Sequence, residues 1–144
     1  MPIRRSSVGD ARIASSNRAP DSPRYFSQAM IVSENTQLIF TSGFNSRDPR
    51  SNEVLHRGDV VAQTRTALTY LEQVLTEAGA GMQHVVKLSV FYSDMADMAA
   101  VREVRTEFFP VDPPVCTGVG VQLPDPAMLI EIDAVAIIPF QKPA

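Results

Sequence analysis

Apolar residues recur along this chain with two different periods, and the switches between them mark its elements. The series Val61, Thr64, Leu68, Leu71 and Leu75 advances in steps of three and four, the spacing of one helical face. Asp59, behind Gly58, supplies a cap, and Gly79 and Gly81 end the helix. Residues 85–92 (VVKLSVFY) have the β-branched and aromatic content of a long strand. Asp94 or Asp97 then caps a second helix with Met98, Val101, Val104 and Phe108 inward, stopped by Pro110, Pro113 and Pro114. Two strands follow, over 115–123 and 128–138, with Leu123-Pro124-Asp125-Pro126 turning between them. Upstream, Phe26 and Ala29 to Val32 suggest a strand, the SENT sequence at 33–36 a turn, and 37–43 a second strand. A polar loop over 45–52 precedes a short segment at Val54 and Leu55. Residues 1–22 are polar and read as a flexible arm before a domain spanning 23–144.

The order is strand, strand, helix, strand, helix, strand, strand. Each helix crosses over between strands, so both are expected on one face of a single mixed sheet in an α+β domain. The other face is left without cover. A sheet face this apolar ordinarily meets another subunit, so a homo-oligomer is expected.

Composition narrows the function. The 144 residues fit one domain, with 44% hydrophobic and 20% charged residues. A net charge of −3 without a basic stripe gives no reason to expect a nucleic-acid partner. There is no run of ~18 apolar residues for a membrane span, and the N-terminus lacks the apolar core of a secretory signal. The Arg- and Ser-rich start is faintly like a transit peptide, against which Asp10 argues. One cysteine, Cys116, excludes an internal disulfide and fits a reducing, cytoplasmic location. The two histidines, His56 and His84, form no metal-ligand cluster, and neither a phosphate loop nor a dinucleotide fingerprint is present.

The candidate chemistry sits in the last two strands. Glu131, Asp133 and Val135 share one strand face and Ile130, Ile132, Ala134 and Ala136 the other. The apolar set belongs against the helices, which turns the carboxylates, ~6–7 Å apart, to the open side. On the preceding strand, Val119 and Val121 fit the helix side, which would turn Cys116, Gly118 and Gly120 toward Glu131. That reading makes a cleft floored by glycine, with a thiol at one end. A lone cysteine is more often an inert small buried residue, and a carboxylate pair a solvated strand face.

These residues carry a family likeness. The chain resembles the Rid/YjgF family of reactive-intermediate deaminases from about Ala19 to Pro139. The matching pieces are Ala19-Pro20 with Tyr25-Phe26-Ser27-Gln28-Ala29, Phe40-Thr41-Ser42-Gly43, Ala62-Gln63-Thr64-Arg65, Val90 to Met95 and Glu107-Phe108-Phe109-Pro110. The most specific is Leu123-Pro124 followed by Leu129-Ile130-Glu131-Ile132-Asp133-Ala134-Val135-Ala136. The resemblance implies a chorismate-mutase-like fold assembled as a homotrimer with clefts between subunits. It implies cofactor-free hydrolysis of small enamines or imines. It makes Glu131 the group that positions water. Cys116 is added by its strand face rather than by the resemblance, as a residue lining the cleft or acting as a nucleophile. The resemblance places Phe26, Ser42 and Gly43 around the substrate, and Phe91, Thr117 and Gly118 are further candidates to line the cleft. The family's substrate-binding arginine falls here on Val115 or Cys116, depending on whether one counts from Leu123-Pro124 or from Glu131. Arg102, on the second helix, is the candidate replacement. The Leu-Pro-x-Pro-x-x-Leu-Ile-Glu pattern at 123–131 is similar to that of 2-aminomuconate deaminases.

Overall fold

The computed structural model describes residues 3–5, 12–14, 25, 29–32 and 35–140. The first helix, α1 (Val60–Glu77), starts where its cap places it: the Asp59 carboxylate accepts the Ala62 N–H at 2.9 Å. Gly79, with a left-handed backbone (φ 82°), closes its C-terminus. Helix α2 is Met98–Phe108, preceded by a 3₁₀ turn that the Asp94 side chain caps through the Ala96 N–H. The strands are β1 (Ile3–Arg5), β2 (Arg12–Ala14), β3 (Ala29–Ile31), β4 (Thr36–Phe40), β5 (Val85–Tyr92), β6 (Val115–Gly120) and β7 (Ile130–Pro139).

Strands β4 to β7 form one mixed sheet in the order β4-β7-β5-β6. β5 and β6 run parallel, and the other pairs are antiparallel. Both helices lie on one face of it. Leu68, Leu71 and Leu75 of α1 and Val101 and Val104 of α2 meet Leu88, Val90, Tyr92, Ile130, Ile132, Ala134 and Ala136 in one buried core. Each fully buried Leu or Ile contributes about 1.5–3 kcal/mol, so this layer dominates the fold's stability. The expected α+β architecture is the observed one. No described helix is long and apolar enough to cross a membrane.

Several boundaries differ from expectation, among them the end of β4, which stops at Phe40 rather than 43. The N-terminal segment read as a flexible arm contributes β1 and β2, which pair with β3 in a separate antiparallel sheet. Met30 of β3 packs with Val86, Val135 and Ile137, so one end of the helix-free face is covered. The last strand begins at Ile130 rather than 128. The buried Gln63 side chain holds the approach by donating to Ala127 O and accepting from Leu129 N–H, both at 2.9 Å. β6 ends at Gly120, short of the expected 123.

Candidate active site on the helix-free sheet face

Alternation along β7 carries Ile130, Ile132, Ala134 and Ala136 into the core and leaves Glu131, Asp133 and Val135 half-buried on the other face. The register extends that face across three strands. Glu131 lies beside Phe91 and then Val119, Asp133 beside Ser89 and then Thr117, and Val135 beside Lys87 and then Val115. Lys87 is the basic side chain that the four strands of this sheet place on the Glu131 face.

Beyond Phe40, the chain that continues β4 makes an irregular edge. Thr41 N–H donates to Ala134 O at 3.0 Å, and Phe44 and Ile132 exchange both backbone bonds at 2.7 and 2.9 Å. Ser42 and Gly43 therefore stand together opposite Asp133 alone, the two-against-one count of a β-bulge. The Thr41 hydroxyl accepts the Ala134 N–H at 3.0 Å and secures one side of the bulge. The bulge brings the Gly43 backbone onto the Glu131 carboxyl group. A Cβ at residue 43 would lie 2.8 Å from Glu131 Cδ and 2.9 Å from Cγ, closer than a side-chain carbon is found, and 3.0 Å from Oε1. Only glycine leaves room for the carboxylate there.

Asn45 completes the setting. Its Nδ2 donates to Glu131 Oε1 at 3.2 Å, and its Oδ1 accepts the Arg47 N–H at 2.8 Å. The Arg47 guanidinium meets Asp125 at 3.3 Å and Asn52 O at 2.5 Å. Ala127 N–H and Arg47 hold the Asp125 carboxyl below its usual range. Gly43 and Asn45 also line a cavity of about 300 Å³ between the 43–52 loop and Tyr70, Gln73 and Glu77 of α1.

The structure gathers Ser42, Gly43, Phe91 and Thr117 around the Glu131 face, but not Cys116 or Gly118. β6 runs parallel to β5, with Cys116 beside Leu88, Gly118 beside Val90 and Gly120 beside Tyr92, all helix-side positions. Cys116 packs against the core, and burial pushes its thiol up, offset in part by the Arg105 guanidinium. That environment disfavours the thiolate a nucleophile requires. The space above Gly118 is filled by the Tyr92 ring, 2.9 Å from where its Cβ would be. The valine rule failed because Val119 lies on the open face, 40% exposed. The register also separates Val115 from Cys116: Val115, beside Lys87, shares the face of Glu131. Arg102 lies on α2 with its guanidinium over the Tyr25 ring, 5.5 Å from the centroid, across the sheet from Glu131. Phe26 lies outside the described residues. Among the described residues no group of three His, Cys, Asp or Glu side chains is placed to hold a metal.

The sequence reading missed Asn45 and Lys87. Asn45 sits in a loop with no period to expose it. Lys87 interrupts an apolar strand, and an interruption of that kind is a legible sign of a face open to solvent.

The family model described as endoribonuclease L-PSP matches residues 16–138. The chain belongs to that family, known also as Rid/YjgF. A RutC family protein of Synechocystis is 34% identical over 129 residues, 89% of this chain and 97% of its own length. The 3-aminoacrylate deaminase RutC of Acinetobacter baylyi is 38% identical over 101 residues, 69% of this chain and 78% of its own. Among solved structures, the Rid family protein YyfB of Yersinia pestis superposes with a TM-score of 0.76 at 28% identity, covering 89% of this chain and 98% of its own. E. coli TdcF with bound serine gives 0.64 at 29% identity, covering 88% and 98%. In this Rid/YjgF chain the block that carries Glu131 therefore belongs to a fold whose relatives include a deaminase.

Proposed function

We propose that this protein is a cofactor-free hydrolase that deaminates a small enamine or imine, in a cleft that neighbouring subunits of a homotrimer complete. The observation that carries this reading is the Glu131 carboxylate, seated on Gly43 and bonded by Asn45 on an open sheet face. A carboxylate so held acts as general base and then general acid. An enamine first takes a proton at carbon and becomes the imine. Glu131 removes a proton from water as its oxygen adds to the C=N carbon. The resulting amino-alcohol collapses to the carbonyl, and the nitrogen leaves as ammonia once protonated. The net reaction adds one water and releases one ammonia, with no redox step. The deaminase among the relatives and the serine bound to TdcF support an amino-acid-sized substrate.

Lys87 is the cation we assign to the substrate carboxylate, since Val115 stands where the family resemblance implies an arginine. The 2-aminomuconate-type pattern at 123–131 makes that unsaturated amine a second substrate to assay. The endoribonuclease of the family description is disfavoured on this face, because Glu131 and Asp133 against Lys87 repel a phosphodiester strand.

The test is ammonia release from a freshly generated 3-aminoacrylate- or 2-aminoacrylate-type substrate, with RNA as a control. Wild type should exceed the spontaneous rate and Glu131→Gln should not, while Cys116→Ser stays active. A wild-type rate equal to the spontaneous one would overturn the enzyme reading. Val115 gives a second reading a specific footing: a trimer that binds small carboxylates without chemistry. Thermal shifts by such ligands in a protein inactive on every imine would select it.

A further inference from the structure

We propose that Asn45 is a positioning residue for the reaction: its side-chain amide fixes the Glu131 carboxylate in the orientation that takes the proton. This inference rests on the assignment of Glu131 as the acid–base group and adds a residue to that site.

The argument starts from the amide itself. Asn45 has one acceptor and one two-proton donor, and each meets a partner of opposite kind. Oδ1 accepts the Arg47 N–H at 2.8 Å, and Nδ2 donates to Glu131 Oε1 at 3.2 Å. Rotating the amide by half a turn would set Oδ1 against a carboxylate and Nδ2 against an N–H, two repulsive contacts in place of two attractive ones. The Arg47 backbone therefore fixes which end of Asn45 faces Glu131.

The loop that presents Asn45 is itself pinned. Next in sequence, Ser46 is fully buried; its hydroxyl donates to Leu55 O at 2.9 Å, and its carbonyl accepts the Leu55 N–H at 3.0 Å. Arg47 reaches Asp125 in the turn that precedes β7, so both ends of the Asn45–Glu131 contact are tied to the same stretch of chain. The Gly43 backbone lies close against the same carboxyl group. Glu131 is thus gripped by one hydrogen bond and one steric wall, which is what a general base needs to meet a small substrate at a single angle. The Asn45 bond engages Oε1, which assigns Oε2 to the substrate or its water.

The decisive variant is Asn45→Asp. It keeps the acceptor that Arg47 N–H needs, so the turn is preserved, but it replaces the donor facing Glu131 with a second carboxylate. A purely structural Asn45 would tolerate that change. We expect kcat to fall at least about tenfold with KM within about threefold, and a melting temperature within a few degrees of wild type. Asn45→Ala, which removes the donor without adding charge, should lower kcat less than Asn45→Asp does. Wild-type kcat in both variants overturns the inference and leaves the deaminase reading standing, provided Glu131→Gln is inactive. A fully active Glu131→Gln overturns the assignment of Glu131, and this inference with it. Crystal structures of wild type and Asn45→Asp test the contact without activity: Glu131 should turn away from residue 45 in the variant, and a carboxylate that stays in place overturns the inference.

Discussion

Replacing Gly43 with alanine separates the site's chemistry from the fold's stability. Gly43 is not among the residues with a left-handed backbone, so alanine can adopt its conformation. The added methyl would stand 2.8 Å from Glu131 Cδ and 2.9 Å from Cγ. Ordinary contact begins near 3.4 Å, so the carboxylate has to move by roughly 0.5–1 Å. That movement is inexpensive for the fold, because the obstacle is the end of a half-buried, flexible side chain. The lost Asn45–Glu131 bond costs about 0.5–1.5 kcal/mol, and the stiffer unfolded chain returns about 0.4–1 kcal/mol. The net change is within about 1 kcal/mol, or roughly 2–4 °C in Tm for a domain of this size. Catalysis is far less tolerant: a misplacement of ~1 Å costs up to about 10²-fold. We therefore expect a 10- to 100-fold fall in kcat, on the order of that penalty, with an unchanged circular-dichroism spectrum and a melt close to wild type. Steady-state ammonia release and a thermal melt on the same preparation check both halves. Full activity in Gly43→Ala would refute the claim that the seated carboxylate is the working group. A melt lowered by ten degrees or more would refute the claim that only the carboxylate is in the way.

Lys87→Met should raise KM by about an order of magnitude with little change in kcat, since the ammonium is assigned to ground-state binding of a carboxylate. Unchanged KM would remove Lys87 from the site. Gly118→Ala should destabilise by about 1–3 kcal/mol, read by urea unfolding, because the methyl meets a fully buried Tyr92 ring that cannot yield; an open cleft floored by Gly118 would instead leave stability unaltered. Asp125, Asp48 and Glu107 all have carboxyl groups held below their usual range, by Ala127 N–H and Arg47, by the Arg50 and Ser51 N–H groups, and by Arg65 respectively. Their stabilising contribution is complete above the unfolded-state values near pH ~4 and is lost as pH falls through the lower folded-state values. Urea midpoints should therefore hold from neutral pH down to about 5 and decline below about 4, less steeply in Asp125→Asn, and a midpoint that rose on acidification would contradict the sign.

The elements with a strong period were legible. α1 was fixed by the Val61-to-Leu75 series between Asp59 and Gly79, and β5 by the β-branched and aromatic content of residues 85–92. The outward turn of Glu131 followed from alternation on β7, where Ile130, Ile132, Ala134 and Ala136 fall on one side and both carboxylates on the other. β6 defeated the same reasoning. Its valines and glycines alternate as well, but here the valines face away from the helices and Gly118 lies under Tyr92. Alternation gives two faces without saying which is inside, and the tie is broken by what fills the space. The ring that fills it comes from β5, and nothing in residues 115–120 announces it. Asn45 escaped for a different reason. Its position depends on a bulge at Ser42 and Gly43 and on Arg47 reaching Asp125, far away in sequence. Contacts of that kind have no local signature.

The Glu131 face also gives the proposed homotrimer a physical rationale. Leu38, Phe40 and Val119 are 55, 72 and 40% exposed; Phe40 joins the Lys87 row through Val135, and Val119 the Glu131 row through Phe91. Met30 covers the Ile137 end of this face and leaves these three side chains open. A carboxylate beside bulk water acts in a high dielectric, where its pull on a developing charge is weak. An apolar surface laid over Phe40 and Val119 would exclude that water and strengthen both Glu131 and Lys87 without moving either. The same covering surface would also be the place from which a second cation could reach the substrate, in answer to the valine at position 115. Under the proposed homotrimer, the exposed apolar side chains, the seated carboxylate and the valine at 115 would belong to one arrangement: half of a cleft, whose other half a further copy of the chain would provide.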